Sequence, residues 1–327
     1  MSLVLAQGGP SPLPAIELPA GSGGVGFDDL RYAEDLERVL VPGGQTGLLF
    51  LLDPGTGEVT TIGGFEGAQA YRGGHGEGVT SADFGGGMLY AIDRTAQQLD
   101  VIDPERGRIL AGVDLAAPPD YVRYVAATSE LWVTEPDAEQ IEVFSAPTVD
   151  ELNPVPKLII RVAGGPESLV IDEAGGRAYT HEWAGRTVAI DLASHEIIAS
   201  WRNGCEGSRG IALDEGLGLL FAGCNEGRVT AMDLSNDGEV VGEVDVGVGV
   251  DVIGYDSGLA HLYAPAQESG SMAVVGVTPS GRLEVLARVP VTQGAHCAVA
   301  DGMGHAWVCD PQGGRLLRYD DTLPPVE

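Results

Sequence analysis

SRGIALDEGLGLLFAGCNEGRVTAMDLSNDGEV, residues 208–240, holds three short apolar runs separated by glycine-rich and acidic turn residues. SRGIALD (208–214) ends in a turn-forming acid, LLFAGC (219–224) follows a Gly-rich turn, and RVTAMD (228–233), in alternating pattern, runs into an Asn-Asp-Gly turn that leads to a fourth segment. Period-2 alternation bounded by such turns marks antiparallel β-strands. A unit of four strands in about forty residues is the size of one propeller blade.

The first strand of this unit recurs along the chain. FDDLRYA (27–33), EGVTSAD (77–83), PDYVRYV (119–125), PESLVID (166–172), SRGIALD (208–214), VDVIGYD (250–256) and AHCAVAD (295–301) align with it. Their second residues are Asp28, Gly78, Asp120, Glu167, Arg209, Asp251 and His296, with spacings of 50, 42, 47, 42, 42 and 45. Second strands such as MLYAID (88–93), AYTHEW (178–183) and AWVCDP (306–311) follow, then third strands such as QLDVIDPERGRI (98–109) with Asp-Pro or Asp-Gly turns. The seventh unit stops one strand short, at GRLLRYD (314–320), and Ala15-Ile16-Glu17-Leu18 reads as the strand that completes it.

The expected fold is therefore all-β: one domain over residues 1–327, a seven-bladed β-propeller of four-stranded blades beginning near residues 27, 77, 119, 166, 208, 250 and 295. A strand at about 15–18 closes the ring, and residues 1–14 form a flexible lead. Closure removes the open sheet edges that invite aggregation. A closed ring also needs no second copy, which points to a monomer.

The 327 residues carry 18 Lys+Arg against 48 Asp+Glu, a formal charge of −30. Such a field repels phosphate backbones and anionic lipid, so nucleic acid and membrane surfaces are poor partners. No run of eighteen or more apolar residues marks a membrane span. Met1-Ser2-Leu3 reads as an introduced start, and Val4 to Pro14 as a Gly/Pro-rich lead of the kind left when a signal peptide is removed.

Four cysteines are an even number. The turn at 302–304 sets residue 301 against 305, and the same register places Cys297 opposite Cys309, which predicts a disulfide. A second bridge is expected between Cys205, in the loop before the fifth blade, and Cys224, at the end of its second strand. Two bridges imply an oxidising compartment, either the periplasm or the cell exterior. There is no Cys-x-x-Cys pair, which argues against a zinc ribbon.

In a propeller the first strand of each blade lines the central channel, so the anchor residues converge at one mouth. The candidate ligand-binding set is Asp28, His75, Glu77, Asp120, Glu167, Arg209, Asp251 and His296. Four mutually repelling carboxylates need positive charge among them, from Arg209 or from a bound cation. Glu167, Asp251 and His296 are the candidate metal ligands: oxygen donors favour Ca²⁺ or Mg²⁺, and a histidine shifts the preference towards Zn²⁺. Asp93, Glu135, His181, Glu182 and Asp310, in loops after second strands, are expected to deepen the negative mouth, with His181 and Trp183 as possible pocket walls. Arg31 and Arg123, in parallel D-x-x-R-Tyr stretches, are expected to bridge neighbouring blades. Gly21 to Gly26 matches G-x-G-x-x-G but lacks the flanking strand and helix that a dinucleotide site requires.

WVTEPDAEQIEVF (132–144), AIDRTAQQLDVID (91–103) and AGCNEGRVTAMD (222–233) resemble the YVTN-repeat, YncE-like group of bacterial surface and periplasmic propellers, with Glu135 where that group usually has Asn. The resemblance spans nearly the whole chain and implies the fold more than an activity. Wider relatives of the same architecture include streptogramin lyases and gluconolactonase-type lactonases. The expected function is a secreted or periplasmic propeller that holds a cation, a small ligand or a protein partner at its acidic mouth. The alternative is a metal-dependent, lactonase-like hydrolase or lyase using the same residues.

Overall fold

A computed structural model describes residues 9–68, 70–148 and 151–326. Its strands form seven four-stranded antiparallel sheets, and consecutive strands are neighbours in every sheet but the last. The first blade comprises Arg31–Ala33, Arg38–Pro42, Leu48–Leu52 and Val59–Gly63. The inner strands of the next five are Val79–Gly85, Val122–Val125, Glu167–Asp172, Ser208–Asp214 and Gly254–Asp256. This is the seven-bladed propeller that the repeat predicts.

In the last sheet Ser11–Glu17 pairs with Arg315–Asp320, beyond His305–Asp310 and Ala298–Ala300. The N-terminus thus closes the ring. The closing strand begins earlier than expected, because Pro12 and Pro14 read as loop in the sequence yet lie on a sheet edge, where no further strand needs their missing N–H. Of the expected flexible lead, residues 11–14 are strand and 1–8 lie outside the described residues. Ile16 opposite Leu316 and Glu17 opposite Arg315 fix the register of the closure.

The middle strands are buried along their whole length, as in Leu219–Cys224 and His261–Ala266, whereas the outer strand Ile197–Arg202 leaves alternate residues exposed. A middle strand is covered on both faces by adjacent blades, so it reads as a continuous apolar run. The core consequently lies between blades. Phe221, Val229 and Ala231 of the fifth pack on Leu262, Ala273 and Val275 of the sixth.

The inner strands carry a polar seam of their own. Arg123 forks onto Asp29 across the channel at 2.7 and 3.1 Å and donates through Nε to the Leu169 carbonyl at 3.0 Å. The Ser81 hydroxyl donates to the same Asp29 carboxylate at 2.6 Å. Arg31 reaches Asp83 of the next blade at 2.5 Å. Both arginines bridge blades, as expected. Burial opposes the Arg123 charge, but the Asp29 carboxylate outweighs it and the pKa is raised. This plug separates the mouth from a cavity of about 370 Å³ at the far end of the channel, lined by residues such as Val252, Ile253 and Tyr255.

Candidate functional site

The mouth residues stand at the entrances to the inner strands. Asp28, Asp120, Asp251 and His296 lie two or three residues before theirs, while Glu167 and Arg209 occupy the first and second positions of theirs. In the second blade the anchor is Gly78, with φ +72°, and a Cβ there would lie 2.0 Å from the Gly44 carbonyl oxygen. Only glycine fits that approach, so this blade supplies its polar group from the preceding loop as His75.

Asp28, His75, Asp120, Glu167, Arg209 and Asp251 surround one cavity of about 290 Å³. Five of the anchors, scattered over 224 positions from 28 to 251, thus meet as the radial arrangement requires. Glu77 does not join them: it is exposed and lines a smaller recess with His75. His296 lies behind His75, their rings stacked with centroids 5.0 Å apart.

Arg94, Tyr121, Pro136 and Asp137, absent from the expected set, stand in the wall with Trp183, which the sequence offers as a pocket wall. Arg94 follows the second strand of the second blade and holds Asp120 at 2.9 Å and Asp28 at 3.9 Å. Tyr121 separates the mouth from the plug, and Trp183, 38% exposed, stands at the rim with its indole N–H donating to Glu167. Trp183 could be singled out from the sequence; Arg94 could have been found from its position next to Asp93 at a strand end facing the mouth. By contrast, Asp93 accepts the amides of Glu66 and Ala96, Glu135 accepts that of Ala117, and Asp310 pairs with Arg315. Glu182 approaches Arg186 at 3.9 Å, and His181 is buried beside Thr187 at 2.9 Å. These five brace turns and the blade interior instead of lining the cavity.

The mouth is a network of opposite charges. Four carboxylates face Arg94, Arg209, His75 and His296, with Arg209 3.8 Å from Glu167 and His75 3.1 Å from Asp28 and 3.8 Å from Asp251. Asp28 raises the His75 pKa to about 9, against the effect of burial and with help from Asp251. Burial pushes Glu167 up to about 7, with Trp183 and Arg209 pulling the other way. Burial also raises Asp120 and Asp251. The ring nitrogens of His296 face two carbonyl oxygens, Gly294 at 2.8 Å and Phe27 at 2.9 Å. Two acceptors require two N–H donors, so His296 is an imidazolium, in agreement with a pKa raised against burial by Cys309 and Asp251.

Among the described residues the mouth's potential metal ligands within 4.8 Å of one another are His75, Asp251 and His296. Glu167, expected to be the third ligand, is instead engaged with Arg209 and Trp183.

The cysteines reverse the expected emphasis. Cys205 and Cys224 form a disulfide with Cα atoms 5.1 Å apart, the fold-back made by a turn in which the Cys205 amide donates to Asn203 Oδ1 at 3.1 Å. Cys297 and Cys309 do face each other, the Cys309 amide donating to the Cys297 carbonyl at 3.1 Å, but both are free, buried thiols. The expected bridge is absent because the Cys309 sulfur turns back to the backbone and accepts the amides of His296 and Cys297 at 3.4 and 3.1 Å. Burial opposes its ionisation, yet the Cys297 hydrogen bond and the His296 charge hold its pKa well below that of an ordinary thiol.

No protein-family model matches the chain, and no curated protein matches it. Among solved structures it is similar to a chain of a mitotic checkpoint complex, with a TM-score of 0.77, 12% identity, and 98% of this chain and 94% of that one covered. The β-propeller domain of Myceliophteria thermophila Cps50 (Swd1) gives 0.75 at 13% identity, covering 96% and 100%. The hydrazine synthase of Kuenenia stuttgartiensis gives 0.73 at 12%, covering 92% and 96%. At such identities the likeness is one of fold alone: a β-propeller scaffold. No helix among the described residues is long and apolar enough to cross a membrane.

Proposed function

We propose that the channel mouth binds a small, uncharged, polyhydroxylated molecule of about monosaccharide size, and that the chain is a ligand-binding propeller. The observation that carries this reading is the balance of the mouth. Asp28, Asp120, Glu167 and Asp251 surround about 290 Å³ together with the cationic His75, Arg94 and Arg209, His296 stands behind His75 as a fourth positive group, and the exposed Asp137 and half-exposed Trp183 lie at the rim. The volume lies at the small end of ligand pockets, which run from about 300 Å³. Carboxylate oxygens accept from hydroxyls, guanidinium groups donate to them, and an indole face covers the apolar side of a sugar ring. A charged ligand would find each site charge already opposed, whereas a neutral polyol exchanges hydrogen bonds without disturbing the balance. A protein partner at the same mouth would engage the same groups. The Cys205–Cys224 bridge supports a periplasmic or extracellular setting.

Calorimetric titration with neutral monosaccharides, polyols, amino sugars and sugar acids tests the reading. Neutral members are expected to bind, with at least a tenfold loss in both Trp183→Ala and Glu167→Gln. Absence of binding across the neutral set, or affinity unchanged in Trp183→Ala, would contradict it.

A second reading rests on the proximity of His75, Asp251 and His296. A divalent cation there, with Glu167 as a proton-transfer group near neutrality, would make the mouth a hydrolase or lyase site. Metal-dependent turnover of a lactone and ester panel that is lost in Asp251→Asn would favour this second reading over the first.

A further inference from the structure

His296 Nδ1, Cys297 Sγ and Cys309 Sγ lie within 4.8 Å of one another, and all three residues are buried. The nitrogen is 3.9 Å from the Cys309 sulfur. Ligands held at Zn–S and Zn–N distances of about 2.3 and 2.0 Å in a tetrahedron sit about 3.5 to 3.8 Å apart. The cluster is therefore close to the spacing that one ion would impose. The cysteines are opposed across two strands of one sheet, so contraction needs side-chain rotation and no movement of the ladder.

The surroundings are those of a ligand set. The Cys309 sulfur accepts two backbone amides, which spread the charge of a thiolate. His296 donates Nε2–H to the Phe27 carbonyl at 2.9 Å, an outer contact that orients the ring and leaves Nδ1 as the coordinating atom. The two thiols also pack in the apolar core of the last and first blades, so the ion would sit in a site walled by Val299, Trp307 and Leu316.

We propose that His296, Cys297 and Cys309 form a three-ligand site for a thiophilic divalent cation, Zn²⁺ in the first instance. Two thiolates and an imidazole select such an ion and discriminate against Ca²⁺ and Mg²⁺, which require oxygen donors. The site is distinct from the oxygen-rich mouth, with which it shares only His296. Entry of the ion displaces the proton that Nδ1 shares with the Gly294 carbonyl and those carried by the thiols, so affinity rises with pH. Three protein ligands leave one position for water or another donor, the arrangement of reactive rather than purely structural zinc.

The test is titration of the whole chain with Co²⁺ under reducing, anaerobic conditions. A thiolate-to-cobalt charge-transfer band is expected, saturating at one equivalent and displaced by Zn²⁺. Cys297→Ser and Cys309→Ser should each abolish or strongly weaken it, and Asp251→Asn should retain it. Should the cysteine variants fail to fold, alkylation of the unaltered protein followed by peptide mapping serves instead, with Zn²⁺ expected to protect both thiols. Absence of the band, a band unchanged in Cys309→Ser, thiols that Zn²⁺ leaves unprotected, or a Cys297–Cys309 disulfide in protein purified without reductant would each overturn the proposal.

Discussion

Asp28 and Asp29 are consecutive in the chain, yet their side chains enter different parts of the channel. Asp29 meets the Arg123 fork and the Ser81 hydroxyl, so both carboxylate oxygens are paired. Asp28 points into the mouth, where Oδ2 lies 3.1 Å from His75 and 3.9 Å from Arg94, and neither Oδ2 nor His75 Nδ1 has a well-formed hydrogen bond. Both aspartates are nearly fully buried, at 3% and 2% exposure, so burial alone does not separate structural from functional carboxylates. Saturation of the partners does: a paired seam fixes blades to one another, whereas a partly satisfied cluster keeps bonding capacity for something else.

The largest effect expected from this contrast is at the plug. Arg123→Met leaves Asp29 buried without its counter-charge and should cost about 3–5 kcal/mol of unfolding free energy in urea or guanidinium titrations. Next comes the rim of the mouth. Loss of the Cys205–Cys224 bridge in Cys205→Ser/Cys224→Ser, which closes a loop of sequence separation 19, should cost about 3 kcal/mol. The bridged loop leads into Arg209, so ligand affinity should weaken as well.

Smaller effects follow from protonation. Glu167, raised to about 7 in the fold, stabilises fully below its unfolded value of 4.5, and that contribution is lost as pH rises through 7. Glu167→Gln should therefore match the unaltered protein near pH 5 and exceed it near pH 8. Solvent screening of the partly exposed carboxyl keeps the gain to on the order of 1–2 kcal/mol. His75, raised from 6.5 to about 9, contributes stability below 6.5 that disappears by about 9, and His75→Gln should flatten the stability profile across that window. Melting temperatures recorded across pH check both.

The contrast also explains what the sequence could reveal. Strand period and turn chemistry are local, so the recurrence of FDDLRYA, PESLVID and SRGIALD gave the blades, and ring geometry then brought Asp28, Asp120, Glu167, Arg209 and Asp251 together. The loops after second strands are visible in the sequence, but which of two neighbours such as Asp93 and Arg94 turns into the mouth is set by side-chain direction at the strand end, so the cation count around the acids is not legible. The split between Asp28 and Asp29 is equally hidden, since it follows from alternation at a strand entrance where Phe27 to Leu30 precede the regular ladder. The thiol state of Cys297 and Cys309 depends on side-chain rotation, which register does not specify.

The most direct test is the pair Asp28→Asn and Asp29→Asn, the same near-isosteric change at neighbouring positions, unfolded side by side in denaturant at pH 7. Asp29→Asn should lose about 3–5 kcal/mol, because Arg123 is left uncompensated. Asp28→Asn should stay within about 1 kcal/mol of the unaltered protein, because removal of one of four like charges offsets the lost contact with His75. Equal losses, or the larger loss at Asp28, would contradict the division of the channel into a structural plug and a binding mouth.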